Sequence, residues 1–229
     1  MLILGLDTST FAIGLSLVED GQLISKYYKQ INISLSQELL PSINLILSNS
    51  RLNIHDIGCV AVAIGPGSFT GLRIGIGTAK ALALALQIQV FGVPTLEAMV
   101  YPLPDLKYDL CPIIDARKKE VYAAIFRRGE RDIIRIVPDM IVKPIELCKM
   151  IENRTVFFGN GTEMYGELLA TSLGGLAVLW RGNDLTSEGV ALAGFDLVKR
   201  GHSSELMLIK PLYLRRSEAE IKWEEKNKP

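Results

Sequence analysis

Two aspartates and two glycine turns are the residues best placed to do chemistry in this chain. Asp7 ends the apolar run LILGLDT and is followed by Thr8-Ser9-Thr10, and Asp115 ends CPIIDA and is followed by Ala116-Arg117-Lys118-Lys119. GPGS (Gly65 to Ser68) and GNGT (Gly159 to Thr162) each stand between a strand-like run and a helix-like run. An aspartate at a strand end can manage a metal ion and its waters, and a glycine turn ahead of a helix can offer backbone amides to phosphate. Asp7, Thr8, Ser9, Asp115, Gly159 and Gly161 are therefore the candidate nucleotide cleft.

The glycine-rich stretch AIGPGSFTGLRIGIGTAKALALALQ, Ala63 to Gln87, carries five glycines in thirteen residues. It lacks the phosphate-loop pattern, because Gly71 is followed by Leu72 where a lysine is needed. It also lacks the dinucleotide fingerprint, because Thr70 holds the place of the last glycine. A structural turn is the better reading of GPGS. Histidines 55 and 202 are far apart and form no metal-binding helical pair, and neither is flanked by a nucleophile pattern. No catalytic residue, metal or cofactor is expected. Cys59, Cys111 and Cys148 are odd in number and embedded in apolar runs, which suits buried free thiols.

The elements that must position these residues repeat. LILGLDT (Leu2 to Thr8), FAIGLSLVED (Phe11 to Asp20) and QLISKYYKQ (Gln22 to Gln30) read as strands, the last two joined by a tight turn at Asp20-Gly21. A helix follows over Ser34 to Leu52, with a capping box from Ser34 and Gln37 and a kink at Pro41. Then come the strand Ile57 to Gly65, a helix to Gln87, the strand QVFGVP and a helix near Leu96. After a proline-punctuated segment, Tyr101 to Pro112, three strands appear again: CPIIDA, EVYAAIFRRG and Arg131 to Val142. KPIELCKMIEN (helix), TVFFGNG (strand), TEMYGELLATSLG (helix), LAVLW (strand) and LTSEGVALAGFDLVKRG (helix) complete the second series.

Asp7 lies fourteen residues before Gly21 and Asp115 fourteen before Gly129, so the two halves align without a gap over their first two strands. The repeat predicts two α/β lobes, residues 1–104 and 105–229. Such a duplication, with an aspartate ending each first strand and GxG[ST] turns, resembles the two-lobe RNase H-like superfamily of actin, sugar kinases and Hsp70. In nucleotide-hydrolysing members the first aspartate stands in a motif like DxGT. Here Ser9 occupies that glycine's place and bulky Arg117 to Lys119 follow Asp115, so the cleft is expected to be vestigial.

Within the helix after GPGS, Gly71, Gly75, Ala79 and Ala83 recur at i+4, with Gly77, Ala81 and Ala85 beside them. Glycines inside a helix cost about 1 kcal/mol each relative to alanine. Packing must return more, most simply by letting another backbone come close. The neighbouring helix or a second subunit could supply it. Arg73 and Lys80 interrupt the helix, and it looks too short to span a membrane.

The chain is 229 residues long and 48% hydrophobic, with 25 basic and 25 acidic residues. That is enough for a folded core, and no global field draws it to a polyanion. Met1 leads straight into a strand-like run without a basic leader, from which a cytoplasmic protein is expected. Arg117, Lys118, Lys119, Arg127, Arg128 and Arg131 could make a phosphate-facing patch, but a solvated strand face is the better reading of them. The polar tail from Arg215 is expected to be mobile.

MLILGLDTST, LSQELLP, AVAIGPGSFTGLRIGIGTAKALALAL, VPTLEAM, DARKKEVYAA and PLYLRRSEAE together resemble the bacterial TsaB (YeaZ) family. The likeness runs nearly end to end and is densest over residues 1–125. One departure is Leu35, where family members usually carry a histidine. The resemblance implies a non-catalytic subunit of the machinery that makes threonylcarbamoyladenosine in tRNA. Its implied partners are a TsaD-type catalytic subunit, a TsaE-type ATPase and, through the complex, tRNA, with homodimerisation when the chain is alone and no membrane. It further implies docking through the two first-lobe helices, with Leu39, Ile43, Leu47, Gly71, Ile74, Gly75, Thr78, Ala79 and Leu82 as the candidate interface. The rival reading is an independent ATP-dependent kinase of the same superfamily; a peptidase has no nucleophile or metal pair to support it.

Overall fold

The computed structural model describes residues 1–31, 34–129, 132–180, 186–203, 205–215 and 223. Arg131 and, Trp223 apart, the tail beyond Arg215 lie outside the described residues. The first sheet holds β1 (Leu2–Asp7), β2 (Ala12–Glu19), β3 (Gln22–Gln30), β4 (Ile57–Gly65) and β5 (Gln89–Pro94), in the order β3-β2-β1-β4-β5. The second holds β6 (Asp109–Asp115), β7 (Val121–Arg128), β8 (Ile133–Val142), β9 (Thr155–Phe158) and β10 (Ala177–Leu179), in the order β8-β7-β6-β9-β10. In both, the first three strands form an antiparallel meander and the last two join parallel to the first. The duplication read from the two aspartates is thus a duplication of topology, with Asp7 and Asp115 ending equivalent strands.

Local chemistry explains the turns. Asp20 and Gly21 both have positive φ, 50° and 83°, and Glu19 pairs with Gln22, which makes a two-residue hairpin whose twist matches its strands. Gly65 and Gly159 also lie at positive φ, 121° and 99°, each ending a parallel strand ahead of a helix. The capping box at Ser34 does not form: its hydroxyl lies 2.9 Å from that of Ser36, and no side chain caps the helix α1 (Leu35–Asn49). The helix runs on through Pro41.

α1 and α2 (Phe69–Leu86) cover one face of the first sheet. Leu39, Ile43, Ile46 and Leu47 of α1 and Leu72, Ile76, Ala79 and Ala83 of α2 share a core with Leu2, Leu4 and Leu6 of β1. The other face is covered from far along the chain. Val190, Ala191 and Ala193 of α6 (Thr186–Lys199) pack on Ile3, Cys59 and Ala61, and a Cβ at Gly5 would lie 2.6 Å from the Ser187 carbonyl oxygen. The two expected lobes, residues 1–104 and 105–229, thus exchange cover across residue 104. The second series supplies a helix to the first sheet because that apolar face has no other cover. Conversely, α3 (Thr95–Ala98) and the residues after it place Leu96, Met99 and Val100 on Leu110 and Phe126 of the second sheet. The opposite face of that sheet is closed by Leu147 and Cys148 of α4 (Pro144–Cys148) and Leu169 of α5 (Gly161–Leu173).

The chain then returns to the first lobe. Ile209 joins the core under α1 and α2, the Leu212 amide donates to the Ile64 carbonyl at 2.7 Å, and Tyr213 stacks on Phe69 with ring centroids 4.4 Å apart. Arg215 ends this strap on the second lobe, donating to the Ala116 carbonyl at 2.8 Å and pairing with Glu120.

Candidate functional site

The first half of the expected cleft is closed by its own turn. Asp7 is buried, and its carboxylate accepts the Ser9 amide at 2.9 Å. Burial pushes that carboxyl above the ordinary carboxylate range, against the opposing pull of its hydrogen bonding with Ser9. Thr8 donates its hydroxyl to the Gly71 carbonyl at 2.8 Å, and the Ser68 amide donates to the Ser9 carbonyl at 2.6 Å. Ser68 also caps α2, its Oγ accepting the Gly71 amide at 3.3 Å. The Thr8 hydroxyl and the Ser9, Ser68 and Gly71 amides are thus bonded to protein, while the Ser9 hydroxyl is buried without a partner among the described residues. A side chain at Gly67 would meet Ser9, and one at Gly71 or Gly75 would overlap Thr8. The glycines admit the Thr8-Ser9 turn of their own lobe.

Across the cleft, the Asp115 amide donates to Asn160 Oδ1 at 3.0 Å, and the Asp115 carboxylate accepts the Arg117 amide at 3.0 Å. Arg117, Lys118 and Lys119 all adopt positive φ, between 54° and 63°. Such conformations cost non-glycine residues about 1–2 kcal/mol each. The Arg117 guanidinium lies 5.1 Å from the ring centre of the exposed Phe11, so the two hairpin turns touch across the cleft mouth. Gly159 and Gly161 pack on the Ile113 carbonyl, which leaves them no room for a side chain. The six cleft residues fall into two corresponding groups, each bonded within its own lobe. Among the described residues no group of three potential metal ligands comes together. Both histidines are exposed, and all three cysteines are free and buried. Burial raises the Cys59 thiol to about 12 and pushes Cys111 higher still.

The residues of the expected helix interface differ in burial. Leu39, Ile43, Leu47, Gly71, Gly75 and Ala79 are buried inside their own lobe, because that face of both helices is the cover of the first sheet. Ile74, Thr78 and Leu82 are half-buried on the flank of α2. What faces outward is a second set: Leu40 and Leu45 of α1, 55% and 45% exposed, and Gly77, Ala81 and Leu84 of α2, with Leu84 72% exposed. The row Gly77, Ala81, Ala85 carried a sequence signal, since small residues recur there at i+4. Leu40 and Leu45 carried none beyond being apolar on a helix already supplied with an inner face. α2 also has 18 residues and a mean hydropathy of 1.3, long and apolar enough by length and composition to cross a membrane. Its inner face is occupied by the sheet, and Gly77, Ala81, Leu84 and Ala85 are exposed on the other side. Of the six basic residues considered for a patch, Arg117 to Lys119 lie at the cleft end of β7 and Arg127 and Arg128 at its far end, and Arg131 lies outside the described residues.

Twin sheets of this order, with crossing helices between them and a paired-aspartate cleft, define the duplicated actin-like class of α/β proteins. Remote structural neighbours agree: a ROK hexokinase from Thermus thermophilus superimposes with a TM-score of 0.57 at 12% identity, over 87% of this chain and all of that one. The family model for TsaD, tRNA N6-adenosine threonylcarbamoyltransferase, matches residues 30–223. The tRNA threonylcarbamoyladenosine biosynthesis protein TsaB of Bacillus subtilis is 29% identical with both chains fully covered, and that of Escherichia coli is 32% identical over 96% of each. YeaZ from Pseudomonas aeruginosa superimposes with a TM-score of 0.75 at 28% identity, over 93% of this chain and 99% of that one. The chain belongs to this family, in its TsaB (YeaZ) branch.

Proposed function

We propose that this chain serves tRNA threonylcarbamoyladenosine biosynthesis as a non-catalytic subunit that docks on a TsaD-type catalytic subunit through the outward face of α1 and α2. Family membership supports the pathway. The observation that carries the role is the outward face itself: Leu40, Leu45, Gly77, Ala81 and Leu84 are exposed on a helix pair whose inner side is already in the core. An apolar face of this kind is stabilised by a second cover, and the small side chains at Gly77 and Ala81 let a facing helix approach closely. The match of a TsaD family model to the chain supports a partner of the same fold, which would present equivalent helices.

The cleft supports the non-catalytic half of the reading. The Ser68 and Gly71 amides and the Ser9 and Gly71 carbonyls are bonded to protein, and the Thr8-Ser9 turn fills the notch ahead of α2. The subunit then acts by linkage: binding only the competent conformation of the catalytic subunit shifts that subunit towards it, with no group donated to the reaction. A TsaE-type ATPase joins the assembly, tRNA is reached through the complex, and a second copy covers the same face when the catalytic subunit is absent. Reconstitution of tRNA modification with and without the chain tests the role. Modification is expected only when the chain is present and co-elutes with the TsaD-type subunit. Full modification without it, or turnover of Mg-ATP by the isolated chain, would replace this reading with that of an independent kinase.

A further inference from the structure

A groove of about 690 Å³ opens on the second lobe, at the end of its sheet opposite the cleft. Its walls are the segment leading into β6, the last residues of β7 and the residues just before β9. Four cationic side chains, Lys107, Arg127, Arg128 and Arg154, line it against two carboxylates, Asp105 and Asp109. In a chain whose formal net charge is zero, this is a local concentration of positive charge.

Hydrogen bonding decides which of these charges are available, leaving Lys107 and Arg154 beside the exposed Asp105. The Asp109 carboxylate is buried and already engaged, by Arg127 Nε at 2.7 Å, Arg127 Nη2 at 3.0 Å and Asn153 Nδ2 at 3.2 Å. Arg128 turns its head back onto the carbonyls of Val100, Tyr101 and Leu103, which fixes one wall to the inter-lobe segment. Lys107 and Arg154 are left exposed at the rim. The Arg154 guanidinium lies over the Tyr108 ring, 4.9 Å from its centre. A guanidinium on an aromatic ring, with a lysine next to that tyrosine, suits a phosphodiester backbone whose bases can stack.

We infer that this groove binds RNA, with Lys107 and Arg154 on successive phosphates and Tyr108 and Arg154 as the stacking platform. The inference rests on the reading that the chain works on tRNA, and names where the chain itself touches it. The groove belongs to the second lobe, away from the outward face of α1 and α2, so RNA and the catalytic subunit can be held together.

The test is titration of an unmodified tRNA transcript with the reconstituted heterodimer across a salt series. Lys107→Ala/Arg154→Ala should bind about tenfold more weakly, with the slope of log K against log salt reduced by about 2, one per lost phosphate contact. Lys143→Ala/Lys199→Ala, which removes the same charge from exposed sites elsewhere, should bind as the unaltered chain does. Co-elution with the catalytic subunit should be the same for all three. Unchanged affinity and slope in the groove variant, or equal losses in both variants, overturn the inference. Failure of the unaltered chain to form the heterodimer would overturn the proposed role instead, and the same titration on the isolated chain would then read the groove.

Discussion

At Gly75 a Cβ would overlap the Thr8 hydroxyl, whereas at Gly77, two residues on and facing outward, it would meet nothing within 4 Å. Alanine should therefore act with opposite signs at the two positions. Gly77→Ala gains about 0.5–1 kcal/mol of helix propensity and should raise the melting temperature. Gly75→Ala receives the same gain but forces β1 and α2 apart, at a cost of about 1–3 kcal/mol, and should lower it. Thr8→Ala added to Gly75→Ala should restore part of the loss, because the overlapping oxygen is gone. Thermal denaturation of the three variants beside the unaltered chain checks this, and a stabilising Gly75→Ala would mean that the notch admits a methyl group. Asp7 offers a second test. With its pKa raised in the folded state, the carboxyl contributes stability that is present below the unfolded value near 3.9 and is lost as pH rises through the folded value. Asp7→Asn carries no such loss. Its melting temperature should exceed that of the unaltered chain at neutral pH, with the advantage vanishing in acid.

At the scale of elements, α2 has two faces with different duties. The inner one is fixed by burial against β1 and β4, and the outer one leaves Gly77, Ala81 and Leu84 exposed beyond the reach of the strap on Phe69 and Arg73. Leu84→Glu places a charge where the side chain is 72% exposed, so the isolated chain should melt within the range of an ordinary surface change, about 0.5 kcal/mol. Co-elution with the TsaD-type subunit should fall at least tenfold, since a carboxylate desolvated in an apolar interface costs more than the leucine contributed. A variant that still co-elutes normally would move the docking face away from α2. The strained turn at Arg117 to Lys119 belongs to this scale too: three successive left-handed residues are held between the Asp115 carboxylate and the strap at Arg215.

For the whole molecule, the relation of the two lobes rests on the crossing of α3 and α6 and on the strap from Ile209 to Arg215. Tyr213→Ala/Arg215→Ala removes the stack on Phe69, the bond from Arg73 Nε at 2.9 Å and the link to Ala116 and Glu120. A loss of about 1–3 kcal/mol is expected from an aromatic pair and charge-assisted bonds of this kind. Amide exchange should rise at residues 116–120, on the lobe opposite the stack. Exchange that rises only around Phe69 would show that the strap braces one lobe and does not couple two.

The amino-acid order by itself determined the repeated strand and helix pattern, because periodicity, turn glycines and the two strand-ending aspartates are local signals. It also determined the family, through GPGSFTGLRIG and the segments around it. Which backbone the glycine ridge admits was decided only in three dimensions: i+4 spacing says that something comes close, and a partner helix and Thr8 satisfy that spacing equally well. The same holds for α6, whose apolar face reads alike whichever sheet it covers, and for the groove, since Lys107, Arg127 and Arg154 share no spacing along the chain. They meet because the parallel pairing of β6 with β9 and the antiparallel pairing of β6 with β7 bring three strand ends to one edge. Local pattern fixes which surfaces must be buried, and only the assembled sheets choose what buries them.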